Sequence, residues 1–420
     1  MTRKNPETNP PSLAAEQARA IRRKLLAWYR KDHRQLPWRA EPPQTPNPYH
    51  VLVSEAMLQQ TQVATVVGYF ERFIAALPTI HALANADEQL VLRLWQGLGY
   101  YRRARNLHAA AGMIVSEFDG RVPCDVESLL RLPGVGRYTA GAIASIAYDR
   151  PTPIVDGNVE RVLARLMHLR EPVDKPAVKK HLWSLAEQLV PARSGAGDLN
   201  QSMMELGATV CTPKLPRCFV CPLRRDCRGV QETDPQTLPI KPPKRKPVAV
   251  THVVFAIERG GKYLLEQRPA TGLWASMWQL PTWENPPPEV LRGQPVRRSR
   301  NGSTPSAGHP TCNHDASAEP SVVVPTKANR ALSTWYLARF NINPSNLTFA
   351  SDFNHQTTHR KIRFVVFHGK AEGRLKPNSG RWRRLSNLDD LPLANPQHKA
   401  IKTLTSTIAS STRQTHNKLC

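Results

Sequence analysis

"LPGVGRYTAGAIASIAY", residues 132–148, is the stretch on which the fold turns. Gly134 and Gly136 flank Val135, an alanine-rich run follows, and Tyr138 sits just inside it. Glycines so placed allow a tight turn that feeds a helix start with its backbone N–H groups exposed. Such a nest, here Gly134, Val135 and Gly136, binds an anion without any side chain, and a DNA phosphate fits it. A helix–helix turn that merely needs glycine is the plainer reading, and the neighbouring sequence has to choose.

Outward from the turn, the chain reads as helix after helix. Ser12 is placed to cap a first helix whose buried face holds Leu13, Ile21, Leu25, Leu26 and Tyr29. Helical patterns follow at about 47–76, 86–95, 102–117, 126–131, 137–148, 156–168, 175–190 and 198–210. Residues 12–230 are therefore expected to form an all-α domain, after a disordered N-terminus over 1–11. A linker is expected over 231–247, where Lys241–Pro247 carries three prolines and four cations. Beyond it, "AVTHVVFAIERGGKYLLEQRP" predicts a β-hairpin with Gly260 and Gly261 at the turn. Strand-like runs at "RALSTWYLARF" and "KIRFVVFHGKAEG" point to a smaller α+β domain over 248–400. Residues 285–330, rich in Pro, Ser, Arg and Asn, are expected to be a disordered insertion, and 401–420 a flexible tail.

The 420 residues carry 58 Lys+Arg against 33 Asp+Glu, a formal charge of +25. That balance points to a polyanion, nucleic acid or an anionic membrane surface, although high charge also serves solubility alone. No apolar run reaches membrane-spanning length, and "MTRKNPETNPP" lacks the apolar core of a secretory signal, so a DNA-associated protein of the cytoplasm or nucleoid is expected. Of seven cysteines, four lie at Cys211, Cys218, Cys221 and Cys227. Clustering in a long chain suggests a metal site in a reducing compartment rather than a disulfide framework; spacing alone leaves zinc and a four-iron cluster both open.

Two carboxylates stand out. Asp156, in "PIVDGNVERVLARL", lies twenty residues past Gly136 and precedes a helix, so it could simply be an N-cap. Glu55, in "PYHVLVSEAMLQQTQVATV", sits among Val51, Leu52, Val53, Met57 and Leu58. Apolar surroundings disfavour the charged carboxylate, so Glu55 can hold a proton near neutral pH, or else be a salt-bridged core residue. An acid and an anion together suit cleavage of a glycosidic bond, which builds positive charge on the sugar.

Helix–LPGVG–helix followed by an aspartate at this distance resembles the helix-hairpin-helix DNA glycosylase superfamily over about residues 20–230. "VSEAMLQQT", "LPWR" and "LWQGLGYYRRARNL" resemble its adenine DNA glycosylase branch, the MutY type. The resemblance implies removal of adenine opposite 8-oxoguanine or guanine from double-stranded DNA by a monomer, through a flipped-out nucleotide. It makes Glu55 the proton donor to adenine and Asp156 the stabiliser of the sugar cation, with Asn158 orienting the aspartate and water. It places Trp38, Arg39 and Gln201 in the adenine pocket. DNA contacts fall to Gln60, Thr61, Leu98 and Tyr100, of which Gln60, Leu98 and Tyr100 would wedge beside the opposite base. "AEPPQTPN" before Pro48 is a few residues longer than the branch implies.

Endonuclease III-like relatives carry a lysine where this chain has Tyr138. A phenol cannot form the imine that leads to strand cleavage, so base removal with at most weak lyase activity is expected. The cysteine spacing is similar to the family's [4Fe-4S] loop, with Lys214 and Arg217 available for phosphate. "KYLLEQRPATGLWASMWQLPTWE" resembles a Nudix-like domain, but the glutamate-rich magnesium helix of a Nudix hydrolase is missing, so recognition rather than pyrophosphate hydrolysis is expected. The family's 8-oxoguanine-reading Phe-Ser-His loop is matched here by Thr357, Thr358 and His359, with Phe353, Asn354 and His355 as the other alignment. The reading is thus a multidomain protein: an all-α helix-hairpin-helix glycosylase domain with an iron-sulfur loop, plus a smaller α+β Nudix-like domain. The alternatives are a mismatch thymine or uracil glycosylase and a non-catalytic DNA-damage-binding protein.

Overall fold

A computed structural model describes residues 12–40, 45–243, 246–291 and 326–416. The chain divides into two compact units, Met1–Lys244 and Arg245–Cys420. The expected disordered N-terminus, 1–11, lies outside the described residues, as does the greater part of the expected insertion.

The described part of the first unit has no strands. It opens with α1 (Ala15–Asp32), α2 (Pro48–Leu58), α3 (Val63–Ala76), α4 (Ile80–Ala84), α5 (Glu88–Leu94) and α6 (Arg102–Glu117). It continues through α7 (Val126–Arg131), α8 (Arg137–Tyr148), α9 (Gly157–Leu166), α10 (Pro176–Leu189), α11 (Ala196–Thr209) and the short α12 (Arg228–Glu232). Ala18, Ile21, Leu25 and Tyr29 form the buried stripe of α1. Ser12 does not cap α1, which starts at Ala15 without a side-chain cap; the neighbouring Leu13 N–H instead donates to Gln188 Oε1 at 2.8 Å. Ile21 and Leu25 share one core with Val162 and Leu163 of α9, Leu182 and Leu185 of α10, and Leu199 and Leu206 of α11.

The single helix expected over 47–76 is two. It breaks after Leu58, and Gln60 adopts φ 56°. No proline or glycine announces this break. The buried Arg103 of α6 makes it possible by donating to the carbonyls of Ala56, Met57 and Gln59, the unsatisfied end of α2. The turn between α7 and α8 is as expected: Gly134 has φ 79°, and a Cβ there would lie 2.6 Å from Asn106 Cβ. Gly136 is the N-cap of α8 and has no side chain to cap it with, which leaves the first N–H groups of the helix to an outside acceptor. Val135 is an exception to the nest, because its N–H already donates to Leu132 O at 3.1 Å.

The linker is shorter than 231–247. Leu238 is buried, and its carbonyl accepts from Arg165 Nε at 2.9 Å. Ile240 O accepts from Val173 N at 3.1 Å, so this proline-rich segment packs onto the helical unit up to about Lys241.

The second unit contains β1 (Val248–Arg259), β2 (Lys262–Gln267), β3 (Trp278–Gln279), β4 (Thr282–Glu284), α13 (Pro288–Leu291), α14 (Thr326–Phe340), β5 (Ile342–Gln356), β6 (Arg360–Gly373), β7 (Arg381–Arg383) and α15 (Asn395–His416). The sheet runs β3-β2-β1-β6-β5, with β4 on β1 and β7 on β2; β1 and β6 are parallel. The β1–β2 hairpin pairs Arg259 with Lys262 across Gly260 and Gly261, whose φ values are 57° and 72°, as the primed turn requires.

Alternate strand residues face opposite layers. Val254, Ala256, Phe364 and Val366 pack with Ile401 and Leu404 of α15. Val253, Phe255, Val365 and Phe367 pack with Leu332, Tyr336 and Phe340 of α14. Two expectations fail here. "RALSTWYLARF" is helix, not strand: its β-favouring aromatics mask a four-residue spacing of Leu332, Tyr336 and Phe340, and burial of that stripe against the sheet decides the matter. Residues 401–416, expected as tail, continue α15, with Ile401 and Leu404 in the core; the last four residues lie outside the description. Of the expected insertion, Pro288–Leu291 and the first turn of α14 are helical, and 292–325 lie outside the described residues. Among the described residues, no helix is long and apolar enough to cross a membrane.

Candidate active site

Glu55, Tyr138, Asp156, Asn158 and Gln201 line one cavity of about 510 Å³ in the helical unit, with Trp38 and Arg39 in its wall. Residues as far apart in sequence as Glu55 and Gln201 meet because α2, α8, α9 and α11 pack around it.

Glu55 lies on a helix buried on every side. It is 5% exposed, and burial pushes its carboxyl up to about 7, from an ordinary 4.5. The Tyr138 hydroxyl, which donates to Glu55 Oε2 at 2.8 Å, pulls it partly back; the nearby Asp156 charge pushes it up and Arg39 pulls it down. Tyr138 is itself held well above the ordinary phenol range, by burial first and then by the two carboxylates, so it remains a donor at any physiological pH.

Asp156 is both an N-cap and a cavity residue. Its Oδ1 accepts from the N–H groups of Asn158 at 3.0 Å and Val159 at 2.7 Å. Its Oδ2 accepts from Asn158 Nδ2 at 2.8 Å. Burial raises this carboxyl above its usual value, while these hydrogen bonds and Arg161 oppose the rise. Asn158 Oδ1 in turn accepts from Arg161 Nη2 at 2.8 Å, and Arg161 Nε donates to Cys211 O at 2.8 Å. The close approach of α11 that supports this chain needs Gly207, where a Cβ would lie 2.5 Å from Asn158 Cβ.

Trp38 packs edge-on against Phe70 at 5.3 Å. Arg39 donates to Glu205 Oε2 at 2.9 Å and to Arg34 O at 2.9 Å. Glu205, 1% exposed, also receives Arg34 through Nε at 2.6 Å and Nη2 at 2.9 Å. Burial alone would raise Glu205; the two guanidiniums outweigh it and hold the carboxyl below its ordinary value. Glu205 and Arg34 line the cavity and were not picked out from the sequence. A signal existed: Glu205 interrupts the apolar face of α11 four residues after Gln201, much as Glu55 interrupts α2.

The expected DNA contacts divide. Gln60 and Tyr100 are exposed and both have positive φ, 56° and 49°; Thr61 is half-buried. Leu98 is buried, because its side chain joins the core while its carbonyl faces Arg103. Lys214 and Arg217 are both exposed, and Arg217 Nη2 donates to Thr209 O at 2.6 Å.

Cys211, Cys218, Cys221 and Cys227 are all free thiols of intermediate burial. Burial raises Cys218, Cys227 and Cys221, the last to about 12, and the neighbouring thiols add to each rise. Four thiols that would repel one another as thiolates fit a cationic group held among them. Arg165, 1% exposed, brings Nη1 to 3.3 Å from Cys211 Sγ. Among the described residues no three His, Cys, Asp or Glu side chains are placed to hold a single metal ion.

In the second unit, Thr358 and His359 are exposed at the tip of the β5–β6 hairpin. Phe353 is in the core, stacked on Phe364 at 5.1 Å, so the alignment through Phe353, Asn354 and His355 puts its aromatic out of a ligand's reach.

Residues 53–188 match the HhH-GPD superfamily of base excision DNA repair proteins. An adenine DNA glycosylase of Buchnera aphidicola is 35% identical over 62% of this chain and 74% of that protein. The Schizosaccharomyces pombe adenine DNA glycosylase is 35% identical over 63% of this chain and 69% of its own. The chain belongs to the adenine DNA glycosylase family. The rat adenine DNA glycosylase is 42% identical over 63% of this chain, which spans only 60% of that protein's length. Membership gives the hairpin, the buried Glu55 and the capping Asp156 a common context: the three motifs lie within the span matched by the superfamily.

Proposed function

We propose that this protein removes adenine facing 8-oxoguanine or guanine in double-stranded DNA by hydrolysing its N-glycosidic bond. The observation that carries the reading is that Glu55 and Asp156 share one cavity with Tyr138 bonded to the first of them. A base extruded from the stack enters this cavity. Glu55, protonated near neutral pH, gives its proton to the adenine ring, so the base leaves uncharged. Asp156 keeps its Oδ2 beside the sugar, where an anion lowers the energy of the developing cation. Asn158 holds that oxygen in place. Trp38, Arg39 and Gln201 form walls of the adenine pocket, and the Arg34–Glu205–Arg39 group fixes Arg39. Tyr138 offers no amine, so the sugar is not captured covalently.

The four cysteines would hold a [4Fe-4S] cluster, which would cross-link the loop carrying Lys214 and so brace that lysine for DNA phosphate. Iron and acid-labile sulfide in equal amounts in the purified protein, without stoichiometric zinc, are the expected result. The second unit is read as a Nudix-like recognition domain without hydrolase activity. Helix α14 carries no glutamate, and the buried Glu266 is spent on Arg339 at 2.8 Å and Gln279 at 2.8 Å. The exposed Thr358 and His359 are its candidates for reading 8-oxoguanine. The chain acts as a DNA-associated monomer inside the cell on this reading.

A duplex panel tests it, with each base opposite guanine and 8-oxoguanine. Adenine is released and thymine and uracil are not; binding weakens steeply with salt. Borohydride traps no efficient adduct with abasic DNA. Thymine release, or efficient trapping, would replace this reading with that of a sister enzyme.

A further inference from the structure

Arg103 takes no part in the chemistry above, yet its guanidinium bonds to Gln59 and Thr61, which line the cavity. It is 9% exposed. Its Nη1 donates to Ala56 O at 3.1 Å, Met57 O at 2.7 Å and Gln59 O at 2.5 Å. Its Nη2 donates to Thr61 Oγ1 at 3.1 Å, Gly99 O at 3.1 Å and Leu98 O at 3.4 Å. The guanidinium also lies over the rings of Trp95 at 5.4 Å and Tyr100 at 5.5 Å. Burial lowers its pKa only to about 10, so it stays charged at neutral pH.

The two segments it grips share a peculiarity. Each presents one exposed non-glycine residue in the left-handed region, Gln60 at φ 56° and Tyr100 at φ 49°. Such residues cost on the order of 1–2 kcal/mol and persist where surroundings over-determine them. A planar fork with two Nη groups can bridge both segments at once; an ammonium cannot reproduce that span.

We propose that Arg103 is a positioning residue that joins the Gln59–Thr61 break to the Leu98–Tyr100 turn as one preformed wedge, which holds open the gap left by the extruded base. The inference rests on the proposed base removal and goes beyond it, because it assigns wedge rigidity to a buried side chain. A role confined to capping α2 would lower stability without distinguishing one duplex from another.

The test places fluorescent 2-aminopurine at the target position and measures extrusion directly, beside single-turnover adenine release. Arg103→Lys is expected to reduce the extrusion signal and slow release from a fully paired duplex by about 10–100-fold, the scale of small misplacements. When the target faces an abasic site, nothing need be wedged apart, and the same variant should lose under about threefold. The pH profile set by Glu55 should not move. Thr61→Val, which removes one bond of the set and leaves the fold intact, should show the same duplex-dependent loss in smaller degree. Equal losses on both duplexes, or wild-type extrusion in both variants, would overturn the proposal. A wild-type chain that extrudes the base yet releases nothing would overturn the proposed reaction instead, with the extrusion comparison still decisive for Arg103.

Discussion

Glu55→Gln is expected to bind an adenine:8-oxoguanine duplex as the wild type does and to release adenine about 10²–10⁴-fold more slowly, the range for a positioned general acid. Glutamine keeps the shape and can still accept the Tyr138 hydroxyl, which lies at 2.8 Å from Glu55 Oε2. What it loses is the proton. The wild-type kcat/KM should fall as pH rises through about 7, where burial has placed the Glu55 carboxyl, and the variant should lack that limb. Stability gives a second readout. The folded carboxyl is raised above its unfolded value, so its favourable contribution is complete below about 4.5 and is lost as pH rises through about 7. The difference amounts to on the order of 3 kcal/mol. Glu55→Gln should therefore melt higher than wild type at pH 8 and lose that advantage below pH 4.5. A variant that turns over at a near wild-type rate would remove Glu55 from its role.

Asp156→Asn and Asp156→Ala should be equally inactive, about 10²–10⁴-fold below wild type, and yet differ in stability. Asparagine caps a helix as well as aspartate does, so Asp156→Asn keeps the bonds from the Asn158 and Val159 N–H groups. Alanine has no acceptor and should lower stability by about 1 kcal/mol. Thermal melts beside single-turnover assays separate the two duties of this carboxylate. An active Asp156→Asn would mean that the cap, and not the charge, is what the site needs.

Much of the site was legible because its chemistry contradicts its surroundings. An acid amid Val51, Leu52, Val53 and Met57 stands out in any reading of burial, and so do two glycines around one valine. Glu205 carried the same signal and was passed over, since its meaning depends on Arg34 and Arg39, 171 and 166 residues away. Arg103 gave no signal at all. It is one of several arginines in "YYRRARNL", and only its partners, 42–47 positions earlier, set it apart. The misread segments share a cause. "RALSTWYLARF" has strand-like composition and helix-like spacing, and the sheet it covers chose between them.

By itself, the order of residues determined the helical character of residues 12–230, the hairpin turn and the two acids. These are local matters: apolar periodicity, glycine's backbone freedom, and a charge set where water is excluded. Tertiary structure decided where α2 stops, whether 331–340 is helix or strand, and that Glu55 and Asp156, a hundred residues apart, face one cavity. Those outcomes depend on hydrogen bonds and burial between segments distant in sequence, whose energies do not exist until the segments have met.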